Sequence, residues 1–156
     1  MDILIVEDDE NKRNQLRGFF SEFYSYAHVR VARSVQSAVR SVMDFLPDIL
    51  ILDMSLPNFD VDSDEFGGKA RKFGGREILR QLDRKRITLP VIVVTGFDQF
   101  ERERETIGLD DLDRELHFAH GGNYRGAVYY HAALYEWQVR LCDLINEIAI
   151  PDDSVQ

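Results

Sequence analysis

Glu7 and Asp8 close the aliphatic run from Ile3 to Val6, and Asp53 closes a second run from Ile49 to Leu52. If the two runs are neighbouring strands at the switch point of a doubly wound sheet, the three carboxylates meet at one rim. Carboxylates so placed repel: at about 4 to 5 Å each pair costs roughly 1 kcal/mol in water, and several times more in a partly dry cleft. Such a cluster requires raised pKa values or a cation. No histidine or cysteine stands in these strand-end motifs, so an all-oxygen site favours a hard ion such as Mg²⁺ over zinc. A carboxylate beside such an ion can act as nucleophile towards a phosphoryl group and form an acyl phosphate. Asp53 is the candidate nucleophile, and Thr95, which ends another aliphatic run, offers a hydroxyl donor to the new phosphate. A single acid at a strand end is most simply a solvated turn residue; four positions together favour a site.

The elements that must position these groups are legible as alternating strands and helices. DILILDMSLP at 48–57 reads as a strand buried on both faces, and Pro57 prevents its continuation past Asp53. Residues 3–6 form a second such strand, 27–32 a weaker one, 91–94 a fourth after Pro90, and 127–131 a fifth. Between them, Leu16, Phe19, Phe20 and Phe23 mark one helix, and Val35, Ala38, Val39, Val42 and Leu46 a second capped by Ser34. Ile78, Leu79 and Leu82 mark a third, LDDLDREL at 109–116 a fourth, and the stripe Trp137, Leu141, Leu144, Ile145, Ile148 a fifth. The Phe-rich and Trp137 stripes are read as core. Strand and helix alternate five times, which predicts a five-stranded parallel sheet with helices on both faces.

The totals restrict what this site can serve. At 156 residues the chain is the size of one domain, expected over 1–150 with a frayed tail at 151–156 and no output domain. A formal net charge of −9 argues against nonspecific nucleic-acid binding, since a phosphate backbone would be repelled. No apolar run approaches the roughly 20 residues needed to span a bilayer, and the start MDILIVEDD lacks a basic secretory leader, so the cytoplasm is expected and no membrane partner. Cys142 is the single cysteine, which excludes an internal disulfide and is read as a buried structural thiol.

Taken together, ILIVEDDENKR at 3–13, PDILILDMSLP at 47–57, GGREIL at 74–79, LPVIVVTG at 89–96 and GAVYYHAAL at 126–134 resemble a response-regulator receiver domain of two-component phosphorelays over nearly the whole length. The resemblance implies a flavodoxin-like α/β fold, (βα)5, with strand order 2-1-3-4-5. It matches Glu7 and Asp8 to the family's acidic pair, Asp53 to the phosphoacceptor and Thr95 to the switch hydroxyl. Asp8, Asp53 and the backbone carbonyl of Ser55 match the Mg²⁺ ligands. The implied partners are a histidine kinase or phosphotransfer protein and a downstream protein, with a homodimer as a further option.

Three departures bear on the output. Aligned on GAVYYHAAL, the positions of the family's lysine and following proline hold Ala133 and Leu134, and no lysine follows Lys85. Arg125 and His131 are the nearby cations that could stand in. The link at 58–74 is long; its Asp60, Asp62 and Asp64 alternate, but the glycine and glutamate of an EF-hand loop are missing, so it is read as a mobile acidic loop. Finally, about 98–124 forms a charged insert whose ERERE run at 101–105 is either a partner surface or a solvated helix face. A phosphorylatable stand-alone receiver is the favoured reading, and a pseudo-receiver that binds partners without phosphorylation is the alternative. A hydrolase is disfavoured because Ser55 stands where a haloacid-dehalogenase pattern places its second aspartate, and no phosphate loop or nucleophile elbow is present.

Overall fold

The three most uniformly apolar runs lie at the centre of the sheet. The computed structural model describes residues 1–60, 74–102 and 105–148. In it β1 (Asp2–Val6), β3 (Ile49–Leu52) and β4 (Val91–Thr95) are flanked by β2 (His28–Ala32) and β7 (Tyr124–Tyr129), all parallel, in the order β2-β1-β3-β4-β7. The inner strands are covered on both faces and so are almost entirely buried, whereas the two edge strands carry exposed or half-buried positions. The flavodoxin-like order read from the sequence is therefore the observed one, with β7 as the fifth strand of the sheet.

Successive side chains of each strand feed opposite cores. Leu4, Leu50, Leu52, Val91 and Val93 pack with α2 (Val35–Asp44), α3 (Gly74–Arg84) and α4 (Leu109–His120). Ile3, Ile5, Ile49, Ile51, Ile92 and Val94 pack with α1 (Glu10–Phe23) and α5 (Glu136–Ile148). The Trp137 stripe is buried as expected, with Ile148 half-buried at its end, and the half-buried Cys142 lies beside it as a free thiol. Two residues assigned to apolar faces are instead exposed. Phe23 sits in the last turn of α1 with its ring against Phe19 and 47% of its surface open, and Leu46 lies beyond the end of α2.

The charged insert departs most from expectation. Part of the ERERE run pairs as an antiparallel hairpin, β5 (Gln99–Arg102) with β6 (Glu105–Gly108), rather than forming a helix face. Phe100 opposite Ile107 turns one hydrophobic pair into the core, and that burial favours the strand. Within this insert the hairpin is the extra part, because α4 is the helix that the fourth strand–helix repeat requires. The last strand also begins earlier than 127. Tyr124 pairs with Val91 and Gly126 with Ile92, so Arg125 is an extra residue bulged from the edge strand. Gly126 adopts φ +154°, and a Cβ there would meet Leu144 at 3.0 Å, which is why this position takes glycine.

The first strand-to-helix turns are fastened by side chains. Asp9 caps α1 by accepting from the Lys12 N–H, and Ser34 forms a capping box with Ser37. The N–H groups of Val35 and Gln36 donate to the carbonyls of Pro57 and Asn58, so the start of α2 holds the chain just past Asp53. Ser34→Ala is expected to cost about 1 kcal/mol, read as a lowered urea midpoint at unchanged slope. Asp60 accepts from the Ser37 hydroxyl. Burial pushes its carboxyl up, but the Ser34 and Ser37 hydroxyls together with Arg33 and Arg40 outweigh that effect and hold it below the usual range. Asp62, Asp64 and the tail 151–156 lie outside the described residues.

Candidate functional site

The carboxyl ends of β1 and β3 adjoin because these strands pair in register, with Val6 opposite Leu52. The next residues are therefore brought to one rim, where the Asp53 N–H donates to the Val6 carbonyl at 3.1 Å. Glu7, Asp8 and Asp53 each present a carboxylate oxygen, and these atoms lie within 4.8 Å of one another. Glu7 and Asp53 are buried, at 1% and 5% exposure, while Asp8 is half-buried. Arg13 donates to the carbonyls of Glu7 and Asp8 at 3.2 and 3.3 Å, which fixes the turn carrying both acids. The Asp9 N–H donates to Glu7 Oε1 at 3.0 Å and the Met54 N–H to Asp53 Oδ1 at 2.9 Å.

A fourth charged group completes the cluster. The Lys12 side chain, buried in the first turns of α1, places Nζ 2.6 Å from Glu7 Oε2 and 3.3 Å from Asp53 Oδ1, and donates to the Val94 carbonyl at 2.7 Å. The face of Tyr130 covers it at 5.6 Å. Burial opposes the ammonium, but Asp53 and Glu7 more than reverse this and hold its pKa above the ordinary lysine value. One ammonium does not compensate two buried carboxylates. Burial pushes Glu7 up to about 8, with Asp53 adding to the rise and Lys12 opposing it. Asp53 is likewise raised by burial and by Asp8, against the pull of Lys12. The cluster holds a formal excess of negative charge that a proton or a further cation relieves.

That excess, on an all-oxygen donor set, fits a hard divalent ion. The fit survives the presence of Lys12, since three carboxylates, once ionised, outnumber one ammonium. Thr95 ends β4 beside β3 and is fully buried; its Oγ1 accepts from the Phe97 N–H at 3.2 Å, which leaves the hydroxyl proton to donate. Ser55 is half-buried two residues past Asp53. The sequence-derived residues thus gather at one end of the sheet, and Lys12 is the member that the sequence reading missed. Its signal was its position: a lysine four residues before Leu16 and seven before Phe19 stands on the apolar face of α1.

The residues read as occupying the lysine and proline positions do not border this cluster. Ala133 and Leu134 lie in the exposed turn between β7 and α5. Tyr130, the first residue past β7, faces Lys12 instead, with its N–H on the Thr95 carbonyl and its hydroxyl donating to Gln15 Oε1. The GA pair used for alignment falls inside β7, which moved the register by several residues. Neither proposed stand-in reaches the acids either. Arg125 is exposed at the bulge, and His131 is exposed with Nδ1 accepting from the Ala133 N–H.

Residues 3–112 match the response regulator receiver domain. An uncharacterized protein, y4jR, of Sinorhizobium fredii is 32% identical over 90% of this chain and 94% of its own length. The chain belongs to the response regulator receiver family. It is also similar to the Detocs response regulatory protein DtcB of Enterobacter cloacae, at 26% identity over 95% of this chain and 100% of that protein, and to DtcB of Vibrio alginolyticus, at 29% over 92% and 99%. In fold it is similar to a two-component response regulator from Clostridium difficile, with a TM-score of 0.63 at 16% identity over 98% of each chain. The non-phosphorylated HemR receiver domain of Leptospira biflexa gives 0.62 at 21% identity, over 92% of this receiver and 93% of that one. Receiver domains bind Mg²⁺ at an acidic pocket, and this one carries the acidic cluster Glu7, Asp8 and Asp53.

Proposed function

We propose that this receiver accepts a phosphoryl group on Asp53 from a histidine kinase or phosphotransfer protein and signals by contact with a downstream protein. The observation that carries the reading is the setting of Asp53: a buried carboxylate at a strand end, among two further acids and one ammonium. In the transfer an Asp53 oxygen attacks the phosphorus of a phosphohistidine donor. The new O–P bond forms as the N–P bond breaks, and the electron pair leaves on the imidazole nitrogen. Thr95 donates its hydroxyl to a phosphoryl oxygen of the resulting mixed anhydride. Glu7, Asp8, Asp53 and the backbone carbonyl of Ser55 would hold Mg²⁺, which when bound offsets negative charge on those oxygens. Hydrolysis of the anhydride resets Asp53 and turns over no separate substrate.

The DtcB relatives, named as response regulatory proteins, are matched over 100% and 99% of their lengths. That supports a single receiver unit over 1–150. The competing pseudo-receiver reading rests on the missing lysine and the two insertions, and Lys12 beside Asp53 weakens the first of these grounds. The test is incubation with acetyl phosphate and Mg²⁺, followed by intact-protein mass measurement. The wild-type chain is expected to gain one hydroxylamine-labile phosphoryl group and Asp53→Asn none. An Asp53→Asn variant that still gained that group, or a wild type that gained none, would sink the reading.

A further inference from the structure

Lys12 holds a buried ammonium between the two buried acids of the cluster. It donates to the Val94 carbonyl at 2.7 Å and forms ion pairs with Glu7 Oε2 at 2.6 Å and Asp53 Oδ1 at 3.3 Å, and the side chain is buried. Burying a lysine for packing alone is costly, and here the ammonium is offset by the buried Glu7 and Asp53 carboxylates it stands between. Among the described residues, the ion pair to Asp53 comes from Lys12. We propose that Lys12 is the phosphoryl-binding ammonium of this receiver, delivered from the first helix rather than from the end of the last sheet strand.

The geometry indicates how the exchange proceeds. The contact to Asp53 Oδ1 is the longest of the three, and phosphorylation of the carboxylate removes the negative charge that sustains it. Lys12 keeps its contacts to Glu7 and the Val94 carbonyl and exchanges the one to Asp53 for a phosphoryl oxygen. Glu7 and Val94 then act as the fixed mount for the ammonium. Because Val94 immediately precedes Thr95, and the Tyr130 N–H bonds the Thr95 carbonyl, both phosphoryl-binding groups are anchored on the β4–β7 edge. A change at Asp53 thus reaches that edge from Lys12 and Thr95 together. The inference rests on Asp53 as phosphoacceptor, and its failure is separable from the failure of that reading.

The test uses the full chain with Mg²⁺ and beryllofluoride, a mimic of the aspartyl phosphate. Bound fluoride is followed by ¹⁹F NMR and the lysine Nζ groups by ¹⁵N NMR; with four lysines in the sequence, the Lys12 signal is assignable by substitution. Beryllofluoride is expected to shift the Lys12 Nζ resonance and leave those of the other lysines in place. Lys12→Met is expected to weaken beryllofluoride about tenfold or more while Mg²⁺ binding is retained. Bound ¹⁹F signal in the wild type with an unmoved Lys12 resonance, or equal affinity in Lys12→Met, overturns the role of Lys12 and leaves Asp53 standing. Absence of a bound signal in the wild type removes both readings. If Lys12→Met does not fold, the wild-type Nζ resonance decides alone.

Discussion

Lys12→Met is expected to destabilise the metal-free protein by about 3 kcal/mol at pH 8 and by about 1 kcal/mol or less at pH 5. The size follows from what the substitution strands. Glu7 and Asp53 stay buried, and removing their shared ammonium leaves two uncompensated carboxylates a few ångströms apart. The pH dependence follows from the direction of the shifts. Glu7 already stands near 8 with Lys12 present, raised by burial and by Asp53, and without Lys12 it rises further. A carboxyl raised above its unfolded value near 4 favours folding while protonated, and that contribution is lost as pH rises through the folded value. Towards low pH the variant relieves the stranded acids by taking up protons, and at pH 8 it must hold more of their charge. Lys12 itself remains charged across this window, because its pKa is raised. Urea unfolding at the two pH values checks the claim, and saturating Mg²⁺ at pH 8 is expected to recover most of the deficit. A deficit equal at both pH values and indifferent to Mg²⁺ would mean that Lys12 contributes packing rather than charge.

This cluster also marks where sequence reading succeeds and where it stops. The runs ILIV, ILIL and VIVV could be placed because a strand covered on both faces has no polar positions, so each carboxylate ending a run was bound to reach the same rim. Glu7, Asp8, Asp53 and Thr95 were legible for that reason. Lys12 was not, because chain position points to an ammonium past the last strand, whereas the site is reached through space from the apolar face of α1. The hairpin was hidden by similar logic. Glu101 to Glu105 carries helix-like charge, and the deciding contact, Phe100 with Ile107, exists only once the two strands pair. The start of β7 lies next to Asn123, whose role shows only in the fold. Its side chain accepts from the Leu89 N–H and donates to the Ile87 carbonyl, tying the edge strand to the approach to β4.

Gly75→Ala and Gly18→Ala are expected to move stability in opposite directions, although both glycines stand in helices. A Cβ on Gly75 would lie 2.6 Å from the Asp53 carbonyl oxygen and 2.9 Å from Met54 Cα, and neither backbone atom can turn aside as a side chain would. The Gly75 N–H also donates to the Met54 carbonyl at 3.0 Å, so the start of α3 rests directly on the segment that carries Asp53. Gly74 packs as closely on Leu56, which leaves the clash no slack on that side. Gly75→Ala should therefore cost about 2 kcal/mol, lowering Tm by about 5 °C, and should displace Asp53 enough to weaken Mg²⁺ binding. Gly18 lies in the interior of α1 with nothing within 4 Å of where a methyl would stand, so alanine there should add about 0.5 to 1 kcal/mol through reduced backbone freedom of the unfolded chain. Paired thermal unfolding with Mg²⁺ titration distinguishes the two effects. If Gly75→Ala matched Gly18→Ala in both, the contact between α3 and the Asp53 segment would be looser than these distances state, and the acid cluster would owe its geometry to β1 and β3 alone.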